Sequence, residues 1–179
     1  MNNPSKIITH TAVSSKRHTA QDVDMWHKDR WLGFVSHYFK NKKGEPYHVG
    51  YHYVIEWDGK IVQCRDHSEE GAHCIGMNTR SIGVCFMGDG DKHLPSAAQI
   101  ASWKKLYKKI RMSYPQLEPG DCVPHRRYAN KSCHGRLLPD NYFANLLTPK
   151  SEDTQLKIRQ LMEIIALLRN ILSLKQKQK

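Results

Sequence analysis

The sequence predicts an α/β domain in which a mixed central β-sheet is flanked by helices, with a C-terminal amphipathic helix appended. Segments rich in β-branched residues alternate with segments of helical periodicity along residues 6–143, a pattern typical of α/β domains. One pair of strands is joined around Asp58-Gly59, which is typical of a tight β-hairpin. Because a hairpin joins antiparallel strands, the predicted sheet is mixed.

The N-terminal third predicts a strand followed by a helix. Residues 6–13 have strand composition, and the strand brings His10 to its C-terminal end. A helix with an N-terminal cap begins at Thr19, and Trp26 and Arg30 follow at helical spacing.

The middle of the chain predicts a hairpin, a buried strand and a second helix. In the hairpin of residues 49–64, Tyr51 and Tyr53 are expected to share one face of the sheet. Residues 81–87 predict the buried strand and residues 96–112 the helix. The whole domain is expected to span residues 1–147.

Residues 148–179 predict a separate C-terminal amphipathic helix and basic tail. Such a helix needs a partner for its apolar face, and we expect docking on its own domain or oligomerisation. Contact with an anionic membrane or an outer membrane is the alternative, because the flanks are cationic. The apolar face is formed by Leu161, Ile164, Ile165, Leu168, Ile171 and Leu172.

Composition limits the classes of function. The chain has 179 residues and a formal net charge of +11, which suits one main domain attracted to polyanions. Five irregularly spaced cysteines without a CxxC pair argue against a disulfide scaffold or a zinc knuckle. No helix-turn-helix or RNA-binding signature accompanies the charge, so a specific nucleic-acid partner is not expected. We expect synthesis in the cytoplasm, because the N-terminus lacks the apolar run of a signal peptide.

The basic segment VPHRRYANKSCHG, residues 123–135, concentrates chemically active side chains. His125 and Cys133 in one loop can bind a single metal ion, but a thiol nucleophile or a plain solvated loop would also fit. A catalytic zinc site needs a third protein ligand from elsewhere, and His10 at its strand end is the obvious candidate. The adjacent Arg126-Arg127 pair fits either attraction of an anionic substrate or simple solvation, and His134 fits a loop residue.

Four segments together resemble a known family. ITHTA, GYHYVIEWDGKIVQCRD, GAHCIGMNTRSIGVCFMG and HRRYANKSC follow in the order and approximate spacing of the type 2 zinc-dependent N-acetylmuramoyl-L-alanine amidases. That family includes phage lysozyme-like amidases and the related peptidoglycan recognition proteins, and the resemblance covers about residues 6–143. It implies a Zn²⁺ cofactor bound by His10, His125 and Cys133, where other members carry Cys or Asp at the last position.

The resemblance also implies roles for other residues. Lys131 matches a catalytic lysine that stabilises the oxyanion, and Tyr51 matches a tyrosine that hydrogen-bonds the water or the oxyanion. Other members have Glu at the tyrosine position, which leaves the general base open. Residues implied to contact substrate are His73, Asn78, Trp26 and Arg30.

The function implied by the resemblance is hydrolysis of the amide bond between N-acetylmuramic acid and L-alanine in bacterial peptidoglycan. A phage endolysin fits best, made in the host cytoplasm and acting on the cell wall after release. A peptidoglycan-binding recognition module without turnover is the alternative. A third hypothesis, a basic nucleic-acid-binding protein, rests on the net charge alone.

Overall fold

The structure, a computed structural model, describes residues 1–30, 33–148, 156 and 159–169. The chain divides into two units, Met1–Leu147 and Thr148–Lys179. In the described part of the first unit the strands are β1 (Lys6–Thr11), β2 (Tyr53–Ile55), β3 (Ile61–Gln63), β4 (Ser81–Phe86) and β5 (Cys122–Pro124). The α-helices are α1 (Ala20–Lys28), α2 (Ala97–Ser113) and α3 (Tyr142–Asn145), and short 3-10 helices cover Pro119–Asp121 and His125–Arg127.

The strands form one mixed sheet in the order β3-β2-β4-β1-β5. β2 and β3 are antiparallel, whereas β4 pairs in parallel with β2 and β1, and β1 pairs in parallel with β5. Every residue of the central strand β4 is buried, as expected for a parallel strand covered on both faces. The predicted fold class, a mixed sheet flanked by helices, is confirmed.

Apolar layers cover both faces of the sheet. On one face Phe86 and Trp103 pack with Phe143, so that α2 and α3 close the core. Val23 of α1 packs with Val54 on the other face. Both long helices begin with a capping box, at Thr19 and Ser96, which satisfies the amides of their first turns.

The hairpin differs from its prediction in two ways. Its strands are joined across residues 56–60, where the Glu56 N–H donates to the Lys60 carbonyl at 2.9 Å, so the connection is longer than a two-residue turn. Tyr51 and Tyr53 do not share a face: Tyr53 packs in the core under α2, whereas Tyr51 packs against the α1 side. The physical reason is that the regular strand begins only at Tyr53, so strict alternation does not extend back to Tyr51.

In the second unit, residues 159–169 are helical. Of the predicted apolar face, Leu161, Ile164 and Leu168 are exposed, while Ile171 and Leu172 lie outside the described residues. No helix within the described ranges is long and apolar enough to cross a membrane.

Arg126 holds the loop that carries Cys133. Its backbone N–H donates to the Cys133 carbonyl at 2.6 Å, and its guanidinium donates to the carbonyls of Gly135 at 2.7 Å and Leu138 at 2.5 Å. The same guanidinium pairs with the Asp140 carboxylate. Neither attraction of an anionic substrate nor simple solvation describes Arg126, because its guanidinium is hydrogen-bonded within the loop and to Asp140.

His134 joins this loop to strand β1. Its side chain is fully buried, with Nδ1 at 2.7 Å from the Thr9 hydroxyl, and its carbonyl accepts from the Thr11 hydroxyl at 3.2 Å. His134 lies in a loop, as predicted, and it is buried because this loop folds back over the end of the sheet. Gly90 lies directly against it: a Cβ there would meet the His134 carbonyl oxygen at 2.3 Å.

Replacing Gly90 with Ala is expected to lower the free energy of unfolding by about 1–3 kcal/mol, because backbone atoms would have to move apart to admit the methyl group. Gly120→Ala is the matched control, since a Cβ at Gly120 meets nothing within 4 Å. Urea unfolding of both variants tests this. Equal stability of the two would contradict the close packing.

His52 links the hairpin to the central strand from a fully buried position. The Gly83 N–H donates to His52 Nδ1 at 3.1 Å, so Nε2 carries the proton and donates to the Glu69 carbonyl at 3.1 Å. Burial lowers the pKa of His52 to about 3, so the ring is neutral in the folded protein.

The free energy of unfolding is expected to fall as the pH is lowered from about 6.5 towards 3, because unfolded His52 takes up a proton that folded His52 refuses. Its contribution is fully present above pH 6.5 and changes by at most about 1.4 kcal/mol per pH unit. In His52→Gln, which keeps an N–H for the Glu69 carbonyl, urea unfolding between neutral pH and mildly acidic pH should show a shallower dependence. Identical slopes would contradict the neutral buried ring.

Candidate metal centre and cleft

Two histidines meet at the carboxyl edge of the sheet because their strands are parallel neighbours. β1 and β5 pair in register at Thr9 and Pro124, so the next residues, His10 and His125, lie side by side. Their ring centroids are 4.5 Å apart. The parallel pairing therefore brings together two residues that are more than a hundred positions apart in sequence.

Cys133 completes a group of three potential metal ligands. Its Sγ lies 3.6 Å from His10 Nδ1 and 3.9 Å from the Thr11 carbonyl oxygen. One donor atom each from His10, His125 and Cys133 lies within 4.8 Å of the other two. The structure thus assembles the three residues that the sequence predicted as ligands.

The electrostatics of this group fit a zinc site. Burial lowers the pKa of His10 well below its usual value, with His73 and His125 adding to the effect, and burial also lowers the pKa of His125. Both rings are therefore neutral, the form that binds metal. Burial raises the pKa of Cys133 to about 11, so the metal-free thiol keeps its proton and gives it up on coordination. Two imidazoles and one thiolate leave a fourth coordination position for water.

A cleft of about 700 Å³ opens above the three ligands. Lys131, two residues before Cys133, lines this cleft with an exposed side chain, and Tyr51 lines it as well. The structure therefore places both predicted catalytic residues in the same cleft as the three potential metal ligands.

Tyr51 is held as a neutral phenol. Its ring centroid lies 4.9 Å from that of His10, and burial raises the pKa of its hydroxyl well above the usual value, with Cys85 and Cys133 adding to the effect. A phenol in this state donates a hydrogen bond and is a poor base.

Of the four residues predicted to contact substrate, three line the cleft and one does not. Arg30, His73 and Asn78 line the cleft. The Asn78 side-chain oxygen accepts from the backbone N–H groups of His73 at 3.0 Å and Cys74 at 2.8 Å, so this oxygen is used in fixing the loop. Trp26 packs edge-on against His18 and is not among the described residues that line the cleft, which gives no support to its predicted contact with substrate.

Several residues that line the cleft were not predicted from the sequence, among them Ile75 and Tyr128. Ile75 is 95% exposed, which is unusual for an isoleucine in a folded domain. Its neighbours Cys74 and Met77 in the same segment are buried in a small apolar cluster with Ile8 and Val123, so no signal in the sequence indicated that Ile75 would be the residue left exposed.

Comparison with known proteins agrees with the geometry. The family described as Amidase_2, N-acetylmuramoyl-L-alanine amidase, matches residues 1–136. The endolysin of Enterobacteria phage K11 is 29% identical over 119 residues, which cover 63% of this chain and 67% of the phage protein.

Solved structures show the same fold. The N-acetylmuramoyl-L-alanine amidase LysC from Clostridium intestinale URNW superposes with a TM-score of 0.64 at 24% identity, covering 81% of this chain and 83% of LysC. A Drosophila PGRP-LB mutant in complex with tracheal cytotoxin superposes with a TM-score of 0.59 at 20% identity, covering 82% of this chain and 81% of that one. At these identities the superpositions establish the fold, whereas the family match extends over most of the chain. The chain therefore belongs to the N-acetylmuramoyl-L-alanine amidase family and is an amidase of bacterial peptidoglycan.

Proposed function

We propose that the protein hydrolyses the bond between N-acetylmuramic acid and L-alanine with the help of Zn²⁺ held by His10, His125 and Cys133. The observation that carries this proposal is the convergence of the three donors within 4.8 Å at the base of a cleft that also contains Lys131 and Tyr51. Zinc in such a site supplies a Lewis acid and lowers the pKa of water towards neutrality.

Lys131 is suited to stabilise the negative charge that develops on the carbonyl oxygen of the scissile amide. Its side chain is exposed in the cleft and lies close enough to His10 and His125 to lower the pKa of both rings. A preorganised donor of this kind typically lowers the barrier by about 3 kcal/mol. The lysine is on the same loop as Cys133, two residues before it, which brings it to the proposed zinc site.

Tyr51 would act on the same reacting group. As a neutral phenol packed against His10, it can donate a hydrogen bond to the tetrahedral intermediate but is poorly suited to remove a proton. The described residues that line the cleft include no Asp or Glu. A carboxylate general base of the kind found in other family members thus has no counterpart in this lining.

The biological setting that we propose is that of a phage endolysin, made in the host cytoplasm and acting on the cell wall after release. The similarity to the K11 endolysin supports this setting. The net charge of +11 would favour retention on an anionic cell wall. A docking, oligomerisation or membrane role for the C-terminal helix stays a prediction.

A recognition module that binds peptidoglycan without turnover is the second candidate. The similarity of fold to PGRP-LB, solved in complex with tracheal cytotoxin, favours it. The complete set of three ligands together with Lys131 and Tyr51 favours catalysis, because a binding module has no need of them.

Removal of the metal is expected to abolish the release of stem peptides that begin with L-alanine. Purified peptidoglycan would be incubated with the protein as isolated, after chelation, and after zinc is restored, and the products identified by mass spectrometry. Cys133→Ala should release no such peptides even with added zinc, because one of three ligands is lost. Muropeptide binding by zinc-loaded protein without any peptide release would support the recognition module instead.

Lys131→Ala is expected to lower kcat about 100-fold while leaving zinc content unchanged, because the lysine stabilises charge in the transition state and does not coordinate the metal. Lys104→Ala on the exposed surface of α2 is the control for the loss of one positive charge. Steady-state release of stem peptides measures both variants. Equal loss in the two would mean that Lys131 acts only through the net charge.

A further inference from the structure

We infer that His73 is a positioning residue for the metal ligand His10 and does not contact substrate through its ring nitrogens. This inference rests on the proposed zinc site. His73 then has a role inside the proposed metal centre in place of the substrate contact that the family resemblance implies.

The first observation is a hydrogen bond between the two imidazoles. His10 Nε2 lies 3.1 Å from His73 Nδ1, while the other nitrogen of His10, Nδ1, faces the Cys133 sulfur at 3.6 Å. If Nδ1 of His10 is to offer its lone pair to a metal shared with Cys133, Nε2 must carry the proton. His10 then donates to His73, and the acceptor fixes both the tautomer and the rotation of the ligand ring.

The second observation concerns the other nitrogen of His73. His73 Nε2 is buried and has no hydrogen-bond partner, so it is not presented to the cleft. With Nδ1 engaged by His10 and Nε2 enclosed, neither ring nitrogen is available to a bound peptide. The ring therefore contributes only its carbon surface to the cleft wall.

The third observation is that two glycines leave the space that the His73 ring occupies. A Cβ on Gly71 would lie 2.4 Å from His73 Cδ2, and a Cβ on Gly83 would lie 2.5 Å from the same atom. Gly83 is in the middle of the buried strand β4, where glycine is otherwise a poor choice because it adds no side chain to the core. Its presence there is explained by the space that the imidazole needs.

The test compares zinc affinity, measured by chelator competition, in three variants and the wild type. His73→Ala removes the acceptor and should weaken zinc binding 10- to 100-fold, the range usual for the loss of a group that orients a metal ligand. His73→Asn places an amide oxygen near the position of Nδ1 and should restore most of the affinity. Gly83→Ala should weaken binding by displacing the ring, whereas Gly120→Ala, in open space, should not.

A second readout separates positioning from general packing. In zinc-loaded protein, the Nε2 proton of His10 should exchange slowly with solvent in the wild type and in His73→Asn, which both supply an acceptor, and faster in His73→Ala. Wild-type zinc affinity in His73→Ala would overturn the inference. Equal losses in His73→Ala and His73→Asn, both folded by circular dichroism, would also overturn it, because volume and not the acceptor would then be decisive.

Failure of the inference and failure of the proposed function remain distinguishable. Wild-type protein that binds zinc but releases no stem peptide would disprove the proposed hydrolysis, while the affinities of the His73 variants would still decide this inference. Wild-type protein that releases peptide, together with His73→Ala of unchanged zinc affinity, would disprove only the role of His73.

Discussion

The parallel pairing of β1 with β5 is the constraint on which the site depends. Parallel neighbours end at the same edge of a sheet, so the register that pairs Thr9 with Pro124 also brings His10 beside His125. The pairing lies at the end of the strand order, and the short β5 is continued directly by the turn that carries His125. A shift of one residue in this register would turn one of the two rings to the opposite face of the sheet.

The third ligand depends on different forces. Cys133 is not on a regular element, so its position is set by polar contacts that fold its loop back onto the domain. Arg126 satisfies carbonyls inside the loop, and His134 fills a buried position against Thr9. The candidate metal centre thus combines two potential ligands positioned by backbone pairing with one positioned by side-chain contacts of its loop.

Strand and helix periodicity was sufficient to predict the fold class. The four motif segments were sufficient to predict that His10, His125 and Cys133 lie together, because both kinds of signal are local in the sequence.

The sequence was insufficient where a residue's role depends on burial. For Arg126 the sequence left substrate attraction and solvation open, and for His134 it indicated only a loop position, since a basic segment gives no sign that it will fold inward. His73 was predicted to contact substrate, because its motif indicates that it lies near the site. The motif does not indicate which way the ring nitrogens point. Tyr51 reached the cleft even though the strand alternation assumed for it was wrong, because the chain bends before β2.

The state of the cysteines has a consequence for resistance to oxidation. All five are free thiols, and Cys133 is the one that is not fully buried. Oxidants attack the thiolate and not the protonated thiol. Because burial keeps the Cys133 sulfur protonated at neutral pH, newly made protein that has not yet acquired metal carries its ligand in the less reactive form. Burial therefore has two effects on the Cys133 thiol: it raises the pKa, and it protects the sulfur from oxidation until a metal ion displaces the proton.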